Sequence, residues 1–335
     1  MKIQAYAAHG PSMPLEPFEY EPQPPELPPV QVEIAISHCG ICHSDLHLLA
    51  NDWGFTQYPL VPGHEIVGTV TRLGSAVKSF REGQRVGVGW EAGSCGECFY
   101  CLRGDENLCS NWRGTCTHGY GGYASAIRVD GRFVFSIPES LDSERAAPLL
   151  CGGTTVYSPL AQVVRPAMHV GVVGLGGLGH LAVQYAHAFG CEVTAFSTSP
   201  DKEAEARRLG AHHFINTREA GAVEKAASTF DFIITTVSAD LNWGDYLNAV
   251  RPKGKLCIVG APPSDVRLPA FSLILGNRSV FGSPIGSPST IREMLEFSAR
   301  NGVRPMTESF PMARVNEAID RLRSNQARYR IVLVN

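Results

Sequence analysis

The sequence predicts an α/β protein in two parts: a β-rich body, then a doubly wound parallel sheet. Up to about residue 150 the chain is rich in β-formers, glycine and proline. From about residue 151 short apolar runs alternate with helical patterns, the rhythm of a parallel sheet with helices on both faces. The length agrees, since 335 residues suggest about two domains at ~150 residues each.

Taken in order, residues 30–36 and 65–70, and more briefly 85–88, are predicted strands on their β-branched content. Residues 11–29 hold eight prolines. Proline suits neither a helix interior nor a central strand, so a surface loop between early strands is predicted there. A strand at 169–173 leads into a glycine-rich turn and an apolar helix at 180–189. A strand at 192–196 and a charged helix at 200–209 follow, with Gly210 as the stop. Strands at 213–215, 232–235 and 255–259 continue the series, and 279–281 closes it. The tail carries helices at 290–300 and 315–323 and a last strand at 329–334.

A net charge of −3 with 18% charged residues provides no basic stripe for nucleic acid and no acidic disordered tail. Two uncharged stretches, 146–164 and 166–191, reach the ~20 residues that a membrane span needs. The glycines in both, and His180, Gln184 and His187 in the second, argue against lipid-facing helix. Residues 1–5 show no apolar run with a cleavage site. The protein is therefore expected in the cytoplasm, with neither membrane nor nucleic acid as a partner. Ten cysteines in a reducing compartment point to metal ligation ahead of disulfides.

Gly174-Leu175-Gly176-Gly177-Leu178-Gly179 matches G-x-G-x-x-G between a predicted strand and a predicted helix. The first glycine permits the tight turn, the second lets backbone amides approach a pyrophosphate, and the third lets helix and strand pack closely. A nicotinamide dinucleotide is the implied cofactor. At the end of the second strand an acid would hold the ribose of NAD. Here Ser197, Thr198 and Ser199 stand there with Lys202 close by, so NADP(H) is favoured over NAD(H). Asp201 lies one small register shift from the ribose, and a solvated first-turn lysine is the alternative for Lys202.

Cys95, Cys98, Cys101 and Cys109 form C-x2-C-x2-C-x7-C. Four thiolates close a tetrahedron around zinc and leave no open position, as in a structural site. An iron–sulfur cluster uses the same ligands. A second set is dispersed: Cys42 in Gly40-Ile41-Cys42-His43-Ser44-Asp45, His64 in Gly63-His64-Glu65, and Cys151. Cys39 rivals Cys42, because the pair could itself form a knuckle.

These motifs, in this order, resemble the zinc-dependent medium-chain alcohol dehydrogenases over nearly the whole chain. The stretches 58–68 and 148–160 and the closing Tyr329-Arg330 are particularly similar to the cinnamyl alcohol dehydrogenase branch. The resemblance implies a GroES-like catalytic domain at 1–150, a Rossmann domain at 151–287 and a tail at 288–335 returning to the first. It implies two zinc ions per chain, with Cys42, His64 and Cys151 on the catalytic one. Glu65 would act beside that metal, Asp45 would orient His64, and Ser44 and His47 would carry the proton. Thr155, Val259 and Ala261 would approach the nicotinamide.

Trp53, Trp90, Trp112, Leu48, Pro284 and Ile285 would line the substrate cleft. An apolar, aromatic pocket suits a primary alcohol or aldehyde, aromatic or medium-chain. The segment 111–122 borders that cleft and is short beside the plant branch. A homodimer joined at the Rossmann sheet edge is also implied. The competing readings are a zinc-independent NADPH quinone or enone reductase on the same fold, which lacks the catalytic ligand set, and a non-enzymatic zinc protein.

Overall fold

In Ile3–Ala7 (β1) every second side chain is buried, and the strand pairs antiparallel with Glu16–Tyr20 (β2). β2 corrects the expectation of a loop across 11–29. Pro17 is tolerated because this two-stranded sheet leaves β2 paired on one side only. Residues 2–335 are described by this computed structural model, and they divide into two units. One comprises Met1–Thr154 and Gly286–Asn335, the other Thr155–Ile285.

The first unit is organised on Gln31–Ile41 (β3), which runs beyond the predicted 30–36. β3 ends at His43–Ala50 (α1) and pairs antiparallel with Glu65–Leu73 (β4). A register shift between Ile36 and His38 divides it. Arg85–Val88 (β5) extends the sheet, and Glu91–Gly93 (β6) precedes Phe99–Leu102 (α2) and pairs with Arg113–Gly114 (β7). Ala126–Asp130 (β8) pairs with the first half of β3, and Val134–Ser136 (β9) pairs with β5. Ser143–Pro148 (α3) runs through a π-helical turn at Leu149–Gly153 into Thr154–Val163 (α4). The uncharged stretch 146–164 is thus buried helix broken by that turn. Among the described residues no helix is long and apolar enough to cross a membrane.

The second unit is a six-stranded parallel sheet. Its strands are His169–Val173 (β10), Glu192–Ser197 (β11), His213–Asn216 (β12), Phe230–Thr235 (β13), Val250–Ile258 (β14) and Ser279–Gly282 (β15). The order β12-β11-β10-β13-β14-β15 is 3-2-1-4-5-6 counted within the unit, the Rossmann order with its switch point beside the first strand. Gly179–Ala188 (α5), Glu203–Arg208 (α6), Trp243–Ala249 (α7) and Ala270–Gly276 (α8) connect the strands.

The tail then rejoins the first unit. Ser287 caps Pro288–Asn301 (α9) by accepting from Thr290 N–H, and Gly302 ends it with φ 70°. Thr307–Pro311 (β16), Val315–Arg323 (α10) and Arg330–Val334 (β17) complete the chain. β17 pairs antiparallel with the second half of β3, Ile331 opposite Ile41 and Leu333 opposite Cys39. The halves of β3 therefore have different outer partners, and the last five-residue strand is central to the sheet. Ile331 is fully buried in the core. Ile331→Ala is expected to cost about 2–5 kcal/mol, read as a lowered midpoint in urea with an unchanged slope.

Candidate functional site

The first unit brings Cys42, His64, Glu65 and Cys151 together: one ligand atom from each lies within 4.8 Å of the others. Cys42 caps α1, His64 and Glu65 open β4, and Cys151 projects from the π-helical turn. The two sulfurs are 4.0 Å apart. Two thiolates on one tetrahedral zinc stand ~3.8 Å apart for Zn–S bonds of ~2.3 Å, so the pair already has that spacing. Cys42 is held well below the ordinary thiol range, first by its hydrogen bond with Cys151 and then by His64 and Arg330.

His64 is fully buried. Its Nδ1 is 3.2 Å from Asp45 Oδ1, while its Nε2 is buried with no hydrogen-bond partner. Asp45, also fully buried, accepts from the Cys42 N–H at 2.9 Å and the Gly63 N–H at 3.0 Å. Glu65 Oε1 is paired with the Arg330 guanidinium, and its Oε2 is buried without a partner. Burial pushes Glu65 up to about 7 against the pull of Arg330. Two thiols, an orphaned imidazole nitrogen and an orphaned carboxylate oxygen converging in a buried site form a donor set that fits zinc.

Cys39 stands outside this cluster, buried with its sulfur 3.6 Å from Gly40 O. Cys116 joins Asp45 and His64 in a second buried group that shares His64 with the first. Cys191 and Cys257 are buried outside all of these groups.

Cys95, Cys98, Cys101 and Cys109 also converge. Their sulfur separations of 3.8 Å for 95–101, 3.5 Å for 98–101 and 3.5 Å for 95–109 fit a closed tetrahedron. Backbone N–H groups of Glu97 and Cys98 hold the Cys95 thiol down at about 6.

Ser44 Oγ is 3.6 Å from Cys42 Sγ. His47 Nδ1 is 2.7 Å from Asp52 Oδ2, and its side chain is one-third exposed. An aromatic wall adjoins His47 and His64: the Trp53 ring lies 5.3 Å from His47, the Trp90 ring meets His64 edge-on at 4.8 Å, and Trp53 and Trp112 lie 6.1 Å and 6.2 Å from Trp90. Phe55, 5.8 Å from Trp53, extends it and was not singled out from sequence. Leu48 is a correction. It sits on the buried face of α1 with Asp45 and Leu49 and belongs to the core, with no surface left to line a cleft. Pro284 and Ile285 lie after β15 in the other unit.

In that unit a cavity of about 250 Å³ opens at the end of β10. Gly174, Leu175, Gly176, Ser197, Thr198, Ser199 and Lys202 line it. Lys202 Nζ donates to Leu175 O at 2.7 Å, and Ser197 Oγ accepts from the Ser199 N–H at 3.1 Å. Thr217, Thr236 and Tyr246 also line it and were missed. Thr236 supports the turn by donating to Val173 O at 2.9 Å. Gly177, Leu178 and Gly179, which lead into α5, and Thr155, Val259 and Ala261 lie outside the lining. A Cβ on Gly176 would meet nothing within 4 Å, whereas one on Gly179 would stand 1.8 Å from Gly174 O. The space over Gly176 fits a phosphate drawn close to backbone, and Gly179 is needed for the turn itself.

Comparison with known proteins agrees with this geometry. The alcohol dehydrogenase GroES-like domain matches residues 28–139, and the zinc-binding dehydrogenase model matches residues 177–300. Aldehyde reductase AdhA of Synechocystis sp. is 45% identical over 332 residues, 99% of this chain and 98% of that one. Cinnamyl alcohol dehydrogenase 2 of Rauvolfia serpentina is 44% identical, covering 99% and 95%. Among solved structures, the cinnamyl alcohol dehydrogenase SbCAD4 of Sorghum bicolor superposes with a TM-score of 0.95 at 42% identity, covering 100% and 98%. That of Helicobacter pylori, complexed with NADP(H), gives 0.90 at 33% identity over the same shares.

Gly176→Ala is expected to leave the melting temperature unchanged and to weaken NADPH binding ~10-fold or more, followed by fluorescence titration. Gly179→Ala is expected to lower the melting temperature as well.

Proposed function

The chain belongs to the zinc-dependent medium-chain alcohol dehydrogenase family, in its cinnamyl alcohol dehydrogenase-like branch, and from that premise we propose how its residues divide the work. The enzyme is an NADP-dependent alcohol dehydrogenase and aldehyde reductase. The observation that carries the reading is the buried pair of thiols beside an orphaned histidine nitrogen.

Cys42, His64 and Cys151 would hold one zinc at the reacting centre, and the four-cysteine loop would hold a second, structural one. When bound, zinc polarises a carbonyl oxygen or acidifies an alcohol, and the nicotinamide carries the hydride. Asp45 fixes the histidine: by engaging Nδ1 it keeps Nε2 free as a donor and raises its basicity. Glu65, neutralised on one oxygen by Arg330, keeps the other unpartnered and would serve as an additional ligand to that zinc. Ser44 exchanges the proton at the substrate oxygen. His47, anchored by Asp52 and reaching solvent, resupplies or removes it. Ser197 and Lys202, with Thr198 and Ser199, receive the 2′-phosphate of NADP(H), while Thr155, Val259 and Ala261 serve the nicotinamide end.

The Trp53–Trp90–Trp112 wall supports an aromatic or medium-chain primary alcohol or aldehyde. It agrees with relatives named for aldehydes and cinnamyl alcohol. A homodimer is supported by β15, whose outer edge is unpaired, and by α8 before it, which exposes Phe271, Ile274 and Leu275. Ten free thiols suit the cytoplasm.

Two variants test these assignments separately. Cys151→Ala is expected to abolish turnover while zinc falls to about one ion per chain, measured by atomic emission; full turnover would refute the ligand set. Ser197→Asp is expected to shift the kcat/KM ratio toward NADH by ~10-fold or more, through repulsion of the 2′-phosphate. An unchanged ratio would refute Ser197 as the discriminating position.

A further inference from the structure

Three neighbouring strands of the parallel sheet begin with metal-binding side chains, far in sequence from both thiol clusters. His169 opens β10, Glu192 opens β11 and His213 opens β12, and the order β12-β11-β10 sets these strands side by side. The register pairs His169 with Glu192, and Thr194 with His213, so the three side chains leave one face of the sheet. One ligand atom from each lies within 4.8 Å of the others. The glycine turn follows the opposite, C-terminal end of β10, so this group is separate from the cofactor cavity.

We propose that His169, Glu192 and His213 form a binding site for a borderline divalent ion of the zinc, nickel or copper type, with a fourth position open to water. Two imidazoles and one carboxylate suit these ions better than magnesium or calcium, which prefer all-oxygen sites. The site consists of one anchored ligand and two mobile ones. His169 is fixed by its backbone N–H donating to Asp231 Oδ2 at 2.8 Å, by the Phe230 ring at 4.6 Å and by Thr194 Oγ1 2.8 Å from its Nε2.

Glu192 and His213 are about half exposed, 53% and 54%, and already meet at 2.7 Å. A tetrahedral ion with bonds of ~2.0 Å needs its donors ~3.3 Å apart. Rotation of the two exposed side chains toward the fixed third closes the remaining distance. Arg251, the nearby cation, is paired with Asp231 at 2.9 Å, so Glu192 leaves the locality net negative. An ion joining three strands binds the folded sheet alone and raises its melting temperature by mass action.

The site does not rest on the dehydrogenase assignments, and its test is independent of turnover. Zinc-replete, full-length protein is titrated with nickel chloride by calorimetry, with thermal melts in parallel. The wild type is expected to take up one nickel ion per chain and to melt ~5 °C higher. His213→Ala and Glu192→Gln should each weaken uptake ~10-fold or more and remove the shift, with NADPH oxidation unchanged in the absence of nickel. No uptake by the wild type, or equal uptake by both variants, would overturn the proposal. So would uptake that survives His213→Ala but is lost in His187→Ala, because the ion would then belong to the His187–His212 pair, whose rings are 5.4 Å apart.

Discussion

The candidate active site depends on one buried carboxylate. Asp45 lies in the first turn of α1, where an acidic side chain favours the helix start. The same carboxylate accepts from the Cys42 N–H, accepts from the Gly63 N–H and meets His64 Nδ1. The end of β3, the start of α1 and the entry to β4 therefore share a single acceptor, fully shielded from water. Losing it would strand buried donors at about 1–3 kcal/mol each. A capping residue thus also sets the orientation and the free nitrogen of the histidine that faces the thiols.

Around that point the chain separates tasks by element. The π-helical turn carries Cys151 where a regular helix would point it differently, in line with the tendency of such turns to occur at functional sites. β17 returns Arg330 to the side of Glu65, so that a buried carboxylate has one neutralised oxygen and one left over. Such a pair gives little net stability, since desolvation offsets attraction. Its value lies in holding a charged group beside the thiols. In the other unit, backbone carries the recognition: an open space over Gly176 and a short hydroxyl-rich segment at the end of β11.

What the sequence made legible was local. The four-cysteine loop, the glycine turn and Gly63-His64-Glu65 are contiguous, so spacing alone conveys their chemistry. The six parallel strands were readable because each is a short apolar run with punctuation at its ends. Contacts made only by the fold were not readable. Arg330 is 265 positions from Glu65, and Leu48 gives no sign in the chain that it turns inward. β2 was hidden because prolines mark an edge strand and a loop alike. β3 ran past its predicted end because Ser37 and Gly40 are weak strand formers, and the strand continues only because residues 38–40 pair with β4 and residues 38–41 with β17. α8 was missed because its apolar residues face outward, so burial against this chain left no helical period to find.

The proposed reaction is hydride transfer from NADPH to an aldehyde beside Cys42, His64 and Cys151. It is tested most directly by the initial rate of NADPH oxidation with cinnamaldehyde, with NADH run alongside and both repeated after metal removal. Rapid turnover is expected with NADPH and much less with NADH, with loss of both on chelation and recovery on added zinc. Turnover that survives in metal-free protein would contradict it.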